Sequence, residues 1–226
     1  MNDQGMQIRS LTSRRLRSGL LGLSLLTTAY SVQAADFLYT VQSGDHPWNL
    51  AERYLKNTAL GEALRRFNKI PDDRRILPGT QLRIPTEWLK LESTQVTVLA
   101  VEGETTLTVS GTPPRSAVAG ERLLAPSGIL TGPDGSATLQ FADGSRVLVR
   151  RDSELQLKTS QKSLLGSANI VALSLLRGNV ENQVTPMGNS GGRFEIRTPA
   201  AIAAVRGTDY RVSVEGVTMR TEVVTG

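Results

Sequence analysis

The chain has 226 residues, with 26 Lys+Arg against 21 Asp+Glu, a single His and no Cys. That length suits one or two domains, and 39% hydrophobic with 21% charged residues is a globular composition. The absence of Cys excludes disulfide frameworks, Cys-ligated zinc, iron–sulfur clusters, cysteine nucleophiles and a lipid-modified N-terminal Cys. One His (His46) also excludes any site that needs two imidazoles from one chain.

Residues 1–34 read as an export signal. Arg9, Arg14, Arg15 and Arg17 precede an apolar stretch from Gly19 to Ala29, and Val32-Gln33-Ala34 supplies a small-residue exit. This order describes a secretory signal peptide cleaved after Ala34. The apolar run falls short of the about 20 residues a permanent span requires. Without this segment the remainder holds 22 basic and 20 acidic groups, so the basic balance belongs mainly to the signal. Nothing in that remainder calls for nucleic acid as a partner.

Residues 35–88 predict a small βααβ unit. Phe37 to Val41 alternates and is β-prone, and Gly44-Asp45 breaks it. Asp45 is expected as N-cap of a first helix, with Pro47 in its first turn. Trp48, Leu50, Ala51, Tyr54 and Leu55 then share one apolar face, with Trp48 and Tyr54 expected in the core. A second helix is predicted from Leu60 to Phe67, with Leu60, Leu64 and Phe67 inward. Pro78-Gly79 turns the chain into a closing strand, Gln81 to Ile84, ended by Pro85.

The pattern Tyr39-x-Val41-x-x-Gly44-Asp45-x-x-Trp48-x-Leu50-Ala51-x-x-Tyr54, then Asn68-x-Ile70, then Pro78-Gly79-x-x-Leu82-x-Ile84-Pro85, resembles a lysin motif (LysM). The resemblance implies a module that binds N-acetylglucosamine-containing glycans, chiefly peptidoglycan, in a shallow groove between two loops. Carried over, the walls are Gly44, Asp45, His46 and Pro47 on one side and Asn68, Lys69 and Ile70 on the other. An N-acetyl group offers one acceptor, one donor and a methyl, which backbone polar atoms and a small apolar patch can read. One sugar makes few contacts, so binding gains from a polymeric, repeating ligand. His46-Pro47 departs from the hydroxyl residue and Leu frequent at that place in the family.

Residues 89–95 read as a short linker, and 96–226 as an all-β unit. Fifteen of the 21 Gly lie beyond residue 100, punctuating β-prone runs. The runs are Val96–Val101, Thr105–Val109, Ser136–Phe141, Arg146–Arg150, Leu155–Leu157, Ile170–Leu176, Asn179–Val184, Phe194–Thr198, Tyr210–Val214 and Val217–Val223. Together they predict a sandwich or stacked β-roll, hence an α+β chain overall. Around Asp143-Gly144 a two-residue hairpin sets Phe141 opposite Arg146, whereas a five-residue loop sets it opposite Val147.

Three blocks are similar to the FecR domain. They are Gly132 to Ser145 (with Gly135-Ser136-Ala137-x-Leu139-x-Phe141-x-Asp143-Gly144), Leu173-x-Leu175-x-x-Gly178-x-Val180, and Phe194-x-Ile196-x-Thr198-Pro199 through Val205-Arg206-Gly207-Thr208-x-Tyr210-x-Val212. The resemblance implies an envelope-exposed scaffold or protein-contact domain, and a further strand beyond Thr225-Gly226. The founding regulator of that family relays a signal from an outer-membrane receptor, so a signalling component is the alternative reading. Arg206-Gly207-Thr208 is read as a structural bulge. No Ser-His pair, metal cluster or phosphate-cradling loop stands out, so the sequence predicts neither catalytic nor metal-binding residues and no cofactor. The expected partners are peptidoglycan or another N-acetylglucosamine glycan and an envelope protein on the β domain.

Overall fold

The structure, a computed structural model, describes residues 36–71, 76–166, 168–187, 191–205, 207, 209–215 and 218–223. The signal peptide expected at 1–34, the Arg206 and Thr208 of the expected bulge, and Thr225-Gly226 lie outside the described residues. Among the described residues no helix is long and apolar enough to cross a membrane.

The first unit has the order β1 (Phe37–Thr40), α1 (Pro47–Tyr54), α2 (Leu60–Phe67) and β2 (Gln81–Ile84). β1 and β2 pair antiparallel, with Phe37 opposite Ile84 and Tyr39 opposite Leu82. Leu50 and Ala51 of the first helix, its C-cap Leu55 and Leu64 of the second helix meet Leu82 and Ile84 in one buried cluster. Two side chains expected inside are partly outside. Trp48 is 38% exposed, because α2 packs onto the backbone of Pro47 and Trp48 at Gly61, where an added Cβ would lie 3.1–3.2 Å from both residues. Phe67 is 42% exposed and stacks edge-on against Trp88, with ring centroids 5.7 Å apart.

A 3-10 turn (Thr86–Trp88) leads into β3 (Leu91–Ser93), β4 (Val96–Glu102), β5 (Thr105–Val109), β6 (Arg115–Ser116), β7 (Arg122–Leu123) and β8 (Ser127–Thr131). Then come β9 (Ser136–Gln140), β10 (Arg146–Val149), β11 (Glu154–Ser163), β12 (Asn169–Gln183), β13 (Arg193–Arg197), β14 (Ile202–Val205), β15 (Asp209–Glu215) and β16 (Thr218–Val223). These form one curled sheet, antiparallel except for the β12–β13 pair, folded over its own apolar core. The expectation of two separate strands at Ile170–Leu176 and Asn179–Val184 is corrected: they are one strand of 15 residues, β12.

β12 is the axis of the domain. Its first half lies between β11 and β13, and its second half lies between β10 and β15. The change of neighbours falls at Gly178, whose φ is 86°. A Cβ there would sit 2.3 Å from Ser153 Oγ and 2.5 Å from Ser153 Cα, so both backbone conformation and space demand glycine. Polar groups close the corner around it. Asn179 N donates to Ser153 Oγ (2.9 Å), Ser153 N donates to Thr131 Oγ1 (2.9 Å), and Thr131 Oγ1 donates to the Arg150 carbonyl (2.6 Å). Buried backbone groups that leave the ladder are thereby satisfied.

The Asp143-Gly144 turn matches neither expected register. Leu139 pairs with Val147 and Gln140 with Arg146, while Phe141 N donates to the Ser145 carbonyl (2.9 Å). The loop proper is Ala142-Asp143-Gly144, a three-residue hairpin that keeps Phe141 and Val147 on the core side.

On the outer face, Glu181 of β12 accepts through Oε1 from Arg150 Nη2 (2.7 Å), just past the end of β10, and from Arg211 Nη2 of β15 (2.5 Å). Burial opposes its charge, but the two guanidinium bonds outweigh that and hold its carboxyl below the usual glutamate range. Substituting Gly178→Ala is expected to lower stability by about 2–4 kcal/mol. Chemical denaturation of the two proteins, compared at their midpoints, measures that loss.

Candidate functional site

The loop from β1 into α1 is organised by a buried carboxylate. Asp45 Oδ2 accepts from Tyr39 Oη (2.6 Å) and Gln42 N (2.8 Å), and Oδ1 accepts from the Arg53 guanidinium. Its side chain is 3% exposed. Burial works against the charge, but these three donors overcome it and the carboxyl titrates below the ordinary aspartate range. Burial, reinforced by the bond to Asp45, pushes the Tyr39 hydroxyl well above its usual value.

Asp45 is therefore not the N-cap of α1; His46 is. Its Nδ1 accepts from Asn49 N (3.2 Å), and Asn49 Oδ1 accepts in return from His46 N (2.9 Å), a reciprocal capping box. The physical reason is equivalence of acceptors: an unprotonated ring nitrogen takes the first-turn amide as a hydroxyl oxygen does. Asp45, one residue earlier, turns inward to Tyr39 and Arg53 instead. With Nδ1 accepting, the neutral ring carries its proton on Nε2, and the imidazole is exposed. Asn49 Nδ2 also donates to the Gly44 carbonyl (2.9 Å), which fixes the loop from the helix side.

The second loop starts at a Schellman closure of α2. Ile70 N donates to the Arg65 carbonyl (3.0 Å) and Lys69 N to the Arg66 carbonyl (3.1 Å), with Lys69 left-handed at φ 54°. Arg65 Nη1 donates to the Ile70 carbonyl (3.0 Å) while its other nitrogens engage Glu62 (2.9 and 3.0 Å). The two arginines, Arg65 and Arg66, draw the Glu62 carboxyl down to about 2. Asn68 is committed to strand β2: its Oδ1 accepts from Arg83 N (2.7 Å) and its Nδ2 donates to the Arg83 carbonyl (2.8 Å).

Of the seven residues expected as walls, Gly44, His46 and Lys69 are exposed, Asn68 is half-buried, and Asp45, Pro47 and Ile70 are buried. The backbone tie between the two connections is not made by these seven. It runs from Val41, whose N donates to the Thr80 carbonyl and whose carbonyl accepts from Gly79 N, both at 2.9 Å. Just before that turn stands Leu77, 75% exposed, an apolar side chain outside the expected set. The signal for it is its place next to Pro78-Gly79: an apolar residue at a turn, with no helix or strand to bury it. Among the described residues no group of three or more His, Asp or Glu could hold a metal. A cavity of about 670 Å³ lies on the β domain beside Arg150, Glu181 and Arg211.

The LysM domain family matches residues 39–85, and the FecR protein family matches residues 127–226. The chain carries a LysM domain followed by a FecR domain, in that order. Both are non-catalytic domain families typical of envelope proteins. No curated protein and no solved structure matches the chain. Strands β4 to β7 precede the FecR match and pair into the same sheet.

Two substitutions test this geometry. Because the folded Asp45 carboxyl titrates below its unfolded value, near 3.9, its stabilisation is complete above about pH 5 and lost as pH falls through the folded value. Asp45→Asn is expected to lose about 1–3 kcal/mol at neutral pH, with the gap from wild type narrowing at pH 3. Urea midpoints at the two pH values report it. Lys69→Gly removes left-handed strain and is expected to gain about 0.5–1 kcal/mol in the same assay.

Proposed function

We propose that this is an exported, non-enzymatic protein of the cell envelope that binds peptidoglycan, or another N-acetylglucosamine-containing glycan, through its LysM domain. The FecR domain acts as a scaffold and as the contact surface for an envelope protein. The chain works in the periplasm or on the wall after the signal at 1–34 is removed, without a permanent membrane span, nucleic acid or cofactor.

The observation that carries this reading is the pair of braced loops at the LysM domain. The carboxylate of Asp45 and the Schellman closure hold each loop before any ligand arrives, so little ordering is lost on binding. Gly44, Asp45, His46 and Pro47 form one wall, and Asn68, Lys69 and Ile70 form the other. Within that set His46 offers an Nε2–H donor to an acetyl carbonyl, and Lys69 offers an ammonium. Asp45, Asn68, Pro47 and Ile70 act by placing the backbone. Leu77 adds the apolar surface that an acetyl methyl requires.

Co-sedimentation of residues 35–226 with insoluble peptidoglycan tests the reading. Leu77→Asp, at an exposed position, is expected to weaken binding by roughly 10-fold, the equivalent of about 1.4 kcal/mol, with an unchanged thermal midpoint. Retention of full binding by that variant, together with unmoved amide resonances at 44–46 and 68–70 under chitin fragments, would place adhesion elsewhere.

A further inference from the structure

The connection from the LysM domain to the β domain is built from structure rather than from free chain. At the C-terminal end of α1, Lys56 N donates to the Trp88 carbonyl (2.9 Å) and Lys90 N donates to the Tyr54 carbonyl (2.7 Å), around a Leu55–Leu89 bridge. Directly afterwards β3 joins the β domain, with Leu91 opposite Ser163, Glu92 opposite Lys162 and Ser93 opposite Gln161. Thr94 N donates to the Ser160 carbonyl (2.8 Å), and the two hydroxyls of Thr94 and Ser160 are buried together at 2.7 Å.

The β domain also returns residues to the LysM side. Ala168, just before β12, is 0% exposed and belongs to the same apolar cluster as Leu50, Leu55, Leu64 and Leu89; Leu165 packs against that cluster. A third contact comes from the segment ahead of β13. Thr86 Oγ1 donates to the Gly191 carbonyl (3.3 Å). A Cβ at Gly191 would lie 2.9 Å from Thr86 Oγ1 and 3.3 Å from Phe37 Cα. Two separate stretches of the β domain, one with Leu165 and Ala168 and one at Gly191, thus close on the LysM core, and β3 adds the backbone pairing with β11.

We infer that the LysM core is completed by the β domain, so that the two fold as one cooperative body and glycan occupancy is thermodynamically linked to β-domain stability. The junction engages the C-terminal end of α1, whereas one candidate wall, Gly44 to Pro47, stands at its N-terminus, about 12 Å away along eight residues; the other wall ends in Ile70, which shares the apolar cluster with Ala168. A ligand that binds only the folded body lowers the population of every globally open state alike. A chain held on the wall therefore presents its β sheet, with the Arg150–Glu181–Arg211 cluster, in a set orientation instead of on a tether. The link to glycan rests on the function proposed above; the cooperative unit does not.

Native-state hydrogen exchange on the full chain tests both parts. Leu64 in α2 and Leu173 in β12 are buried, and their amides are expected to merge into a single opening as denaturant rises. Exchange of Leu64 through a separate, lower-energy opening would overturn the inference. Both tryptophans, Trp48 and Trp88, lie on the LysM side of the junction, so their fluorescence reports that side. Ala168→Asp is expected to lower the fluorescence midpoint and the β-sheet circular dichroism midpoint together; a fall in the latter alone would contradict it. Should that variant fail to fold, the wild-type exchange experiment still decides. With chitin fragments at one hundred times their dissociation constant, both amides should slow by roughly 100-fold. Slowing at Leu64 alone overturns the linkage. No slowing at either amide, with a single opening retained, defeats the glycan reading and leaves the cooperative body standing.

Discussion

A strand that must change neighbours halfway along, with every buried backbone group still satisfied, is the constraint on which the larger domain depends. β12 gives its first half to β11 and β13 and its second half to β10 and β15, so both halves of the curled sheet are registered by one backbone. The turn in that backbone places Gly178 against Ser153, too close for any side chain. Ser153 and Thr131 take over the bonds that the ladder gives up there. The apolar side chains on the two halves can then face each other across one core.

The small domain solves a different problem, that of holding loops still where no ladder runs. One loop is tied to an ion pair and a phenol from below and to a capping box from the helix. The other is closed by backbone bonds and by Arg65 reaching the Ile70 carbonyl. Charged and polar side chains are thus used to brace the loops, which leaves Gly44, His46 and Lys69 exposed. The Asp45 carboxylate is buried while Arg53 stays half-exposed, so the pair fixes the loop from its inner side without burying both charges.

Much of the small domain is legible from local chemistry. The second helix falls on Leu60–Phe67 as its apolar spacing predicts, and the closing strand falls on Gln81–Ile84 after Pro78-Gly79. The cap differs from expectation because Asp is the commoner N-cap residue, while His46 has a ring nitrogen able to do the same work. Trp48 differs because helical spacing gives a direction, not the distance at which a neighbouring helix packs. Leu77 escapes a reading by pattern because an isolated apolar residue at a turn carries no periodicity. Asn68, placed in a wall by the motif, has its amide committed to Arg83, a partner fifteen residues on.

By itself the sequence determined the features that near neighbours dictate: two helices between two strands, a β-rich remainder, the motif residues of both domain families, and the exclusion of cysteine chemistry. These depend on spacing and residue type over a few positions, which the chain states directly. Only the tertiary structure decided that Ile170–Leu176 and Asn179–Val184 are one bent strand. It alone showed that the turn at Asp143-Gly144 has three residues, and that 89–95 is a paired segment with Ala168 and Gly191 closing the LysM core. Those outcomes rest on contacts between residues tens of positions apart, where packing space and shared hydrogen-bond partners select among arrangements that local preference leaves equal.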